Sequence, residues 1–395
     1  MSSRRGRVAV AAVLLGLGAS SCGEATPAPE VLAQEAVVPL TGLAPAESAS
    51  FSQGRSEFME AETAAQGLGP LFNGSSCAGC HNSQGVGGPG VLTVARAACR
   101  APDGGMVEPP GGSLVFLFTT RPDVANASLP AHCTTLARRR TTSVLGLGLI
   151  ESIPDEAILA ASVEPKPPGV GGRVAMVVDP ITGALRVGRL GWKAQHASLD
   201  SFAADAYRNE MGVTNEVFPT ENAPGGRMDL LAAMDPTPDP EARVGVVGLL
   251  ADFMRFSSPP GSSSPNADTA AGEALFRKVG CDSCHRPAYQ TQAVMVRGVP
   301  SAALSNRDVF LYSDLLLHDV GTGDQIAQGA AAGAEFKTPA LWGMARNVGL
   351  MHDGRAATVR EAIEAHGKEA TQVVSAFMAL TEAERIQLVS FVEGL

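Results

Sequence analysis

A chain of 395 residues is long enough for two or three domains with real cores, yet aromatic side chains make up only 5% of it. Forty acidic against 30 basic residues leave a formal charge of −10, which argues against nucleic acid as a partner and suits a small, basic, soluble protein. Gly and Pro are frequent (44 and 27) while Tyr and Trp are scarce (3 and 2), the composition of a loop-rich protein short of aromatic bulk of its own.

The N-terminus, MSSRRGRVAVAAVLLGLGASSCGEATPAPE, runs from a basic stretch through an apolar one, Val8 to Leu17, to small residues ending at Cys22. This reads as an export signal, since the apolar run is too short for a comfortable membrane span. Ala19-Ser20-Ser21-Cys22 has the form of a lipobox, in which the cysteine is acylated, with ordinary cleavage nearby as the alternative. The expected location is periplasmic, with lipid at Cys22 as the membrane anchor, and residues 23–49 read as a flexible linker.

A first domain is expected over residues 50–262. The stretch SEFMEAETAAQGLGPLF is helical in pattern and leads to SCAGCHN, which places Cys77, Cys80 and His81 within five positions. A C-x-x-C turn can chelate zinc, cycle as a dithiol, or offer two thiols to the vinyl groups of haem; the adjoining histidine favours haem. The excess length of this half lies between Val91 and Ala233 and carries some β structure: GSLVFLF as a strand, and RVAMVVDPITGALRVGRL as a hairpin around a Pro-x-x-Gly turn. Cys99 and Cys133 either pair in a disulfide or remain two buried thiols.

The helix EARVGVVGLLADFMRF ends at FSSPPGSSSPNAD, residues 256–268, the expected boundary before a second domain over residues 263–395. There DTAAGEALFRKVG precedes CDSCH, a second copy of the motif with Cys281, Cys284 and His285. Two copies are far less probable by chance than two covalent haems, so the four cysteines are read as thioether anchors and the haems as the missing bulk. TVREAIEAH and TEAERIQLVSFVEGL follow as packing helices, the latter opening with a Thr381/Glu384 capping box. The fold class expected is mainly α: two cytochrome c-like domains, each around a covalent haem, with a small β-hairpin/strand insertion in the N-terminal half.

GLGPLFNGSSCAGCH, LGLGLIESIP, GWKAQHASLDSFAADAYRNEMGVTNEVFP, LYSDLLLHDVG and FKTPALWGMARNVGLMHDGRAATVREAIEAHGKEA together resemble the di-haem oxidoreductase family, also described as thiol oxidoreductases. That family is similar to bacterial di-haem cytochrome c peroxidases, the MauG enzymes and di-haem rubber oxygenases. The motif makes His81 and His285 the proximal iron ligands. Where those peroxidases carry a methionine ligand to the second haem, TVREAIEAHG has His366; His318 and His352 are rivals, each followed by Asp and read as holding loops beside a haem. No histidine follows His81 before His132, so the first haem is expected to be open to peroxide or oxygen.

The resemblance further implies that Trp192 relays electrons between the haems and that Glu210 is the acid/base that moves the peroxide proton. Phe202 falls roughly where the peroxidases place a distal glutamine, which implies a drier pocket. Calcium between the domains is an option at Asn347 and Gly349, and Arg138, Arg139, Arg140 and Arg355 are candidates to pair haem propionates. The expected function is an exported, peroxidase-like di-haem c-type oxidoreductase. Electrons from a small soluble donor protein would pass from the C-terminal to the N-terminal haem; the alternative is a pure electron-transfer cytochrome.

Overall fold

The computed structural model describes residues 37–83, 85–102, 104–121, 129–222, 235, 237–261, 267–344, 347 and 349–395. The export signal, the linker up to residue 36 and the expected boundary at 262/263 lie outside the described residues. Helix outweighs strand among the described residues, in ten α-helices and a set of short antiparallel ribbons.

Helix α1 spans Pro45–Met59, with Pro45 in its first turn and the Glu47 carboxylate accepting from the Ala44 N–H at 2.7 Å. It starts inside the stretch read as linker, whose last residues are packed: Leu40 is buried and its N–H donates to the Phe256 carbonyl at 2.7 Å. It also ends earlier than the expected helix SEFMEAETAAQGLGPLF. Gly67, with φ +103°, and the Gly69-Pro70 pair cannot continue it, and Leu71–Phe72 is a strand.

One packing relation is built twice. In the first half α1 crosses the helix Val246–Phe256 (α6 in chain order) at Gly54, where an added Cβ would lie 2.0 Å from the Leu249 carbonyl oxygen. In the second half the helix Ala267–Val279 (α7) crosses the last helix, Glu382–Glu393 (α10), at Gly272, where a Cβ would lie 2.4 Å from the Gln387 carbonyl oxygen. Only glycine lets the backbones approach so closely. Each crossing sets a phenylalanine edge-on to the following motif histidine: Phe58 to His81 at 6.0 Å and Phe276 to His285 at 6.4 Å between centroids.

Around these crossings lie two apolar cores. The first centres on Phe253, between Phe51 and Phe58 at 5.6 and 4.7 Å, so truncating it to alanine should cost about 3–5 kcal/mol. The second holds Phe276, Tyr312, Phe377 and Phe391. Tyr289, Leu304, Leu311 and Leu315 follow the second motif in sequence yet pack into the first core.

The extra length of the first half is partly a sheet, in which Thr93–Arg100 pairs antiparallel with Thr135–Arg140, Thr93 opposite Arg140. A disulfide joins Cys99 to Cys133 beside it. GSLVFLF divides into two ribbons, Leu114–Val115 and Phe118–Thr119, on different partners. Ala175–Val178 pairs with Leu185–Gly188 around the Pro-x-x-Gly turn. Helix α5, Leu199–Met211, is capped by Ser198, whose Oγ accepts from the Ser201 N–H at 3.3 Å, and carries Glu210 toward the first motif. The short helix Val359–Glu364 (α8) ends just before His366, and α10 opens with the Thr381/Glu384 capping box.

Candidate functional site

Cys77–Cys80 forms a single helical turn (α2) capped by Ser76, whose Oγ accepts from the Gly79 N–H at 3.0 Å. His81 follows, and its Nδ1 lies 2.8 Å from the Thr142 carbonyl oxygen. A carbonyl only accepts, so Nδ1 carries the proton and Nε2 keeps its lone pair. The second motif repeats this with Cys281–Ser283 as a 3-10 turn and His285 Nδ1 at 2.9 Å from the Tyr312 carbonyl. Burial draws both imidazoles down to about 4, keeping them in the neutral form that binds metals. The same burial pushes the Cys77 and Cys281 thiols up to about 12, the reverse of what a redox dithiol requires. Among the described residues neither motif joins a cluster of metal-ligating side chains suited to zinc.

A cavity of about 310 Å³ opens beside the second motif. Cys281, Cys284 and His285 form one wall, and His366, Trp192 and His352 also line it. His366 Nδ1 lies 2.6 Å from the Ala362 carbonyl, one helical turn back, so its Nε2 is likewise a free acceptor. His318 differs: Nδ1 meets Glu369 Oε2 at 2.8 Å and Nε2 meets Asp314 Oδ2 at 3.0 Å. Burial opposes its charge, but the Asp314 bond prevails and raises it to about 11, so His318 is a buried imidazolium with no lone pair to offer. Its partners are Asp314 and Glu369 rather than the adjacent Asp319. His352 stacks on Phe336 at 4.2 Å between centroids, and burial lowers its pKa to about 4.

Trp192 donates from Nε1 to the Arg140 carbonyl at 3.0 Å, two residues before the Thr142 that receives His81. Trp342, which the sequence reading passed over, lines the same cavity and stands 3.0 Å from where a Cβ on Gly146 would be. Its neighbourhood is decided by contacts far apart in sequence, so no local pattern could reveal it. Phe202 also lines the cavity, edge-on to His196 at 5.6 Å.

Glu210 lies beside the first motif. Its carbonyl accepts from Gly74, a residue whose Cβ would lie 3.5 Å from Cys80 Sγ, and its carboxylate accepts from Asn73 Nδ2 at 3.0 Å. Burial raises its pKa, with Arg96 at 3.9 Å and Asn73 pulling the other way. The other histidines are placed elsewhere: His132 is exposed next to the disulfide, and His196 lies between Ser201 at 2.8 Å and Asp205 at 3.3 Å.

Of the four candidate arginines, Arg138 is exposed, Arg139 pairs with Asp324 at 2.7 Å and Arg355 with Asp353 at 2.6 Å. Arg139 and Arg140 each keep a buried Nη2 without a partner, but only Arg140, of these four, is buried with no carboxylate beside it and lines the cavity. Asn347 reaches Met344 Sδ at 3.7 Å, while the four clustered carboxylates of the described chain, Glu221, Asp235, Asp239 and Glu241, lie elsewhere.

Residues 120–395, well over half of the chain, match the family model described as "Di-haem oxidoreductase, putative peroxidase". The chain belongs to the di-haem oxidoreductase family. The matched span begins after Cys77, Cys80 and His81, so the second motif lies within it and the first before it. No curated protein matches this oxidoreductase significantly.

Several solved structures are similar at low identity. Hydrazine synthase of Kuenenia stuttgartiensis shares 17% identity over 97% of this chain and 100% of its own, with a TM-score of 0.42. A MauG-like protein associated with microbial copper homeostasis shares 16% over 91% of each chain, at a TM-score of 0.40. The diheme peroxidase BthA of Burkholderia thailandensis E264 shares 17% over 89% of this chain and 86% of its own, at 0.41.

The oxidoreductase's own residues fit a haem at the second motif. Two cysteines, two neutral imidazoles with free Nε2 atoms, and an orphaned guanidinium nitrogen all border one largely apolar cavity.

Proposed function

We propose that the protein is an exported c-type di-haem oxidoreductase of peroxidase type. Electrons pass from the C-terminal site to the N-terminal site, where peroxide or oxygen is reduced. The observation that carries this reading is the twofold imidazole arrangement: His81 and His285 each follow a C-x-x-C turn and give Nδ1–H to a distant carbonyl, Thr142 or Tyr312. When bound, the haems supply the electron transfer and the activation of the oxidant. Cys77, Cys80, Cys281 and Cys284 are the attachment residues, and His81, His285 and His366 the iron ligands.

His366 presents a lone pair to the cavity that His285 lines, which supports a six-coordinate C-terminal site. Among the described residues no comparable imidazole stands beside His81, which supports an open N-terminal site. Glu210, near Cys80 and with its pKa raised by burial, is suited to move a proton between the two oxygens of peroxide. Trp192 is suited to connect the sites: one hydrogen bond reaches Arg140, and two residues on, Thr142 receives His81.

The proposal includes a periplasmic location with a lipid anchor at Cys22, and a small soluble donor protein for which the acidic balance of −10 is the support. Calcium belongs to it only at Asn347 and Gly349, and metal analysis of the purified protein checks that element. The deciding experiment mixes reduced protein with peroxide in a stopped-flow instrument. Rapid two-electron oxidation is expected; its absence, with both haems six-coordinate, would make the protein a pure electron carrier.

A further inference from the structure

Burying a cation is costly unless an anion or several acceptors compensate it. Among the described residues six Lys and Arg side chains are buried. Four of them meet carboxylates: Arg139 and Lys193 share Asp324 at 2.7 and 3.2 Å, Arg189 pairs with Asp155, and Arg255 pairs with Glu151 at 2.7 Å. Arg140 and Lys337, 8% and 9% exposed, do not.

Arg140 Nη2 has no partner at all, and Lys337 Nζ bonds only to the Thr338 carbonyl at 3.2 Å. Both line the cavity that holds Cys281, Cys284, His285 and His366. Both are also tied to Trp192, whose Nε1 donates to the Arg140 carbonyl and whose own carbonyl accepts from the Lys337 N–H at 3.0 Å.

The strand Thr135–Arg140 explains why adjacent arginines differ. Side chains alternate across a strand, so Arg139 turns to Asp324 and Arg140 to the cavity. Burial lowers the pKa of both cations, Lys337 to about 8, as it does for the paired Lys193, so it is the missing carboxylate that sets Arg140 and Lys337 apart.

We infer that Arg140 and Lys337 are a carboxylate-binding pair on either side of Trp192, and that the carboxylates they take are haem propionates. Arg140 offers a planar fork suited to a bidentate carboxylate, and Lys337 a single point charge. Pairing the propionates there would hold the macrocycle against Trp192 and place two positive charges beside it, favouring its reduced state.

This inference rests on the reading of the cavity as a haem seat, and the test separates the two. Arg140→Gln, Arg140→Lys and Lys337→Gln are purified with haem and titrated spectroelectrochemically, and their propionate bending modes are recorded by resonance Raman. The glutamine variants should lower one haem's midpoint potential and shift a propionate mode, while Arg140→Lys stays near the wild type. Lys337→Gln carries the same reading independently should Arg140→Gln fail to fold. Unchanged potentials and modes in a haem-loaded glutamine variant would overturn the inference, whereas absence of covalent haem from the wild type would overturn the haem seat itself. Saturable binding of added acetate to the wild type, lost in the glutamine variants, would assign the pair to a free carboxylate and overturn the propionate assignment.

Discussion

His285 and His366 face one cavity in the same posture, each holding its Nδ1–H on a backbone carbonyl, Tyr312 at 2.9 Å and Ala362 at 2.6 Å. With both Nε2 atoms free, they form the pair expected to clasp one iron. His366→Ala should therefore turn the low-spin ferric signal in electron paramagnetic resonance into a high-spin one. His318→Ala should not, since its two nitrogens are held by Asp314 and Glu369. An unchanged spectrum in His366→Ala would remove it from the ligand set.

Glu210 has a pKa raised by burial, so it holds a proton at pH values where an exposed glutamate has lost it. Glu210→Gln keeps the bond to Asn73 but cannot exchange a proton. The rate of peroxide reaction should fall by about 10²–10⁴-fold while the resting absorption spectrum stays that of the wild type. Equal rates would show that the proton moves by another group.

Trp192 joins the cavity to the backbone that receives His81, and Trp342 lines the same wall. Trp192→Phe should slow re-reduction of the N-terminal haem after a peroxide pulse, followed by rapid-scan spectroscopy, and Trp342→Phe should slow it less. The opposite order would move the relay to Trp342.

The disulfide between Cys99 and Cys133 closes a loop with a sequence separation of 34. By the chain-entropy argument, replacing both with alanine should lower stability by about 3–4 kcal/mol. Denaturant unfolding would reveal this as an earlier midpoint, and a midpoint equal to that of the wild type would refute it.

Glu221, Asp235, Asp239 and Glu241 crowd together, and burial, followed by the neighbouring carboxylates, raises Glu221 to about 9. The native state thus retains a proton that the unfolded chain releases near 4.5. This stability is fully present below 4.5 and is lost as the pH rises through about 9. Glu221→Gln, which stays neutral, should raise stability at pH 8 by about 2 kcal/mol after allowance for solvent screening, and leave it nearly unchanged near pH 4.5. Melting curves at the two pH values decide it.

The sequence by itself determined whatever depends on neighbours along the chain. The two C-x-x-C-H motifs could be read because their chemistry needs only a five-residue spacing. The Thr381/Glu384 capping box and the turn between Ala175–Val178 and Leu185–Gly188 are likewise local. Only the tertiary structure decided which polar groups are spent and which are free. The sequence ranked His366 above His318 but did not show what holds each ring: Asp314 and Glu369, the latter 51 residues away, occupy His318, while His366 keeps its lone pair. Arg139 and Arg140 are adjacent, yet Asp324, 185 residues on, pairs with one and strand alternation turns the other into the cavity. A buried charge is settled by whatever meets it in space, and chain folding alone brings those partners together.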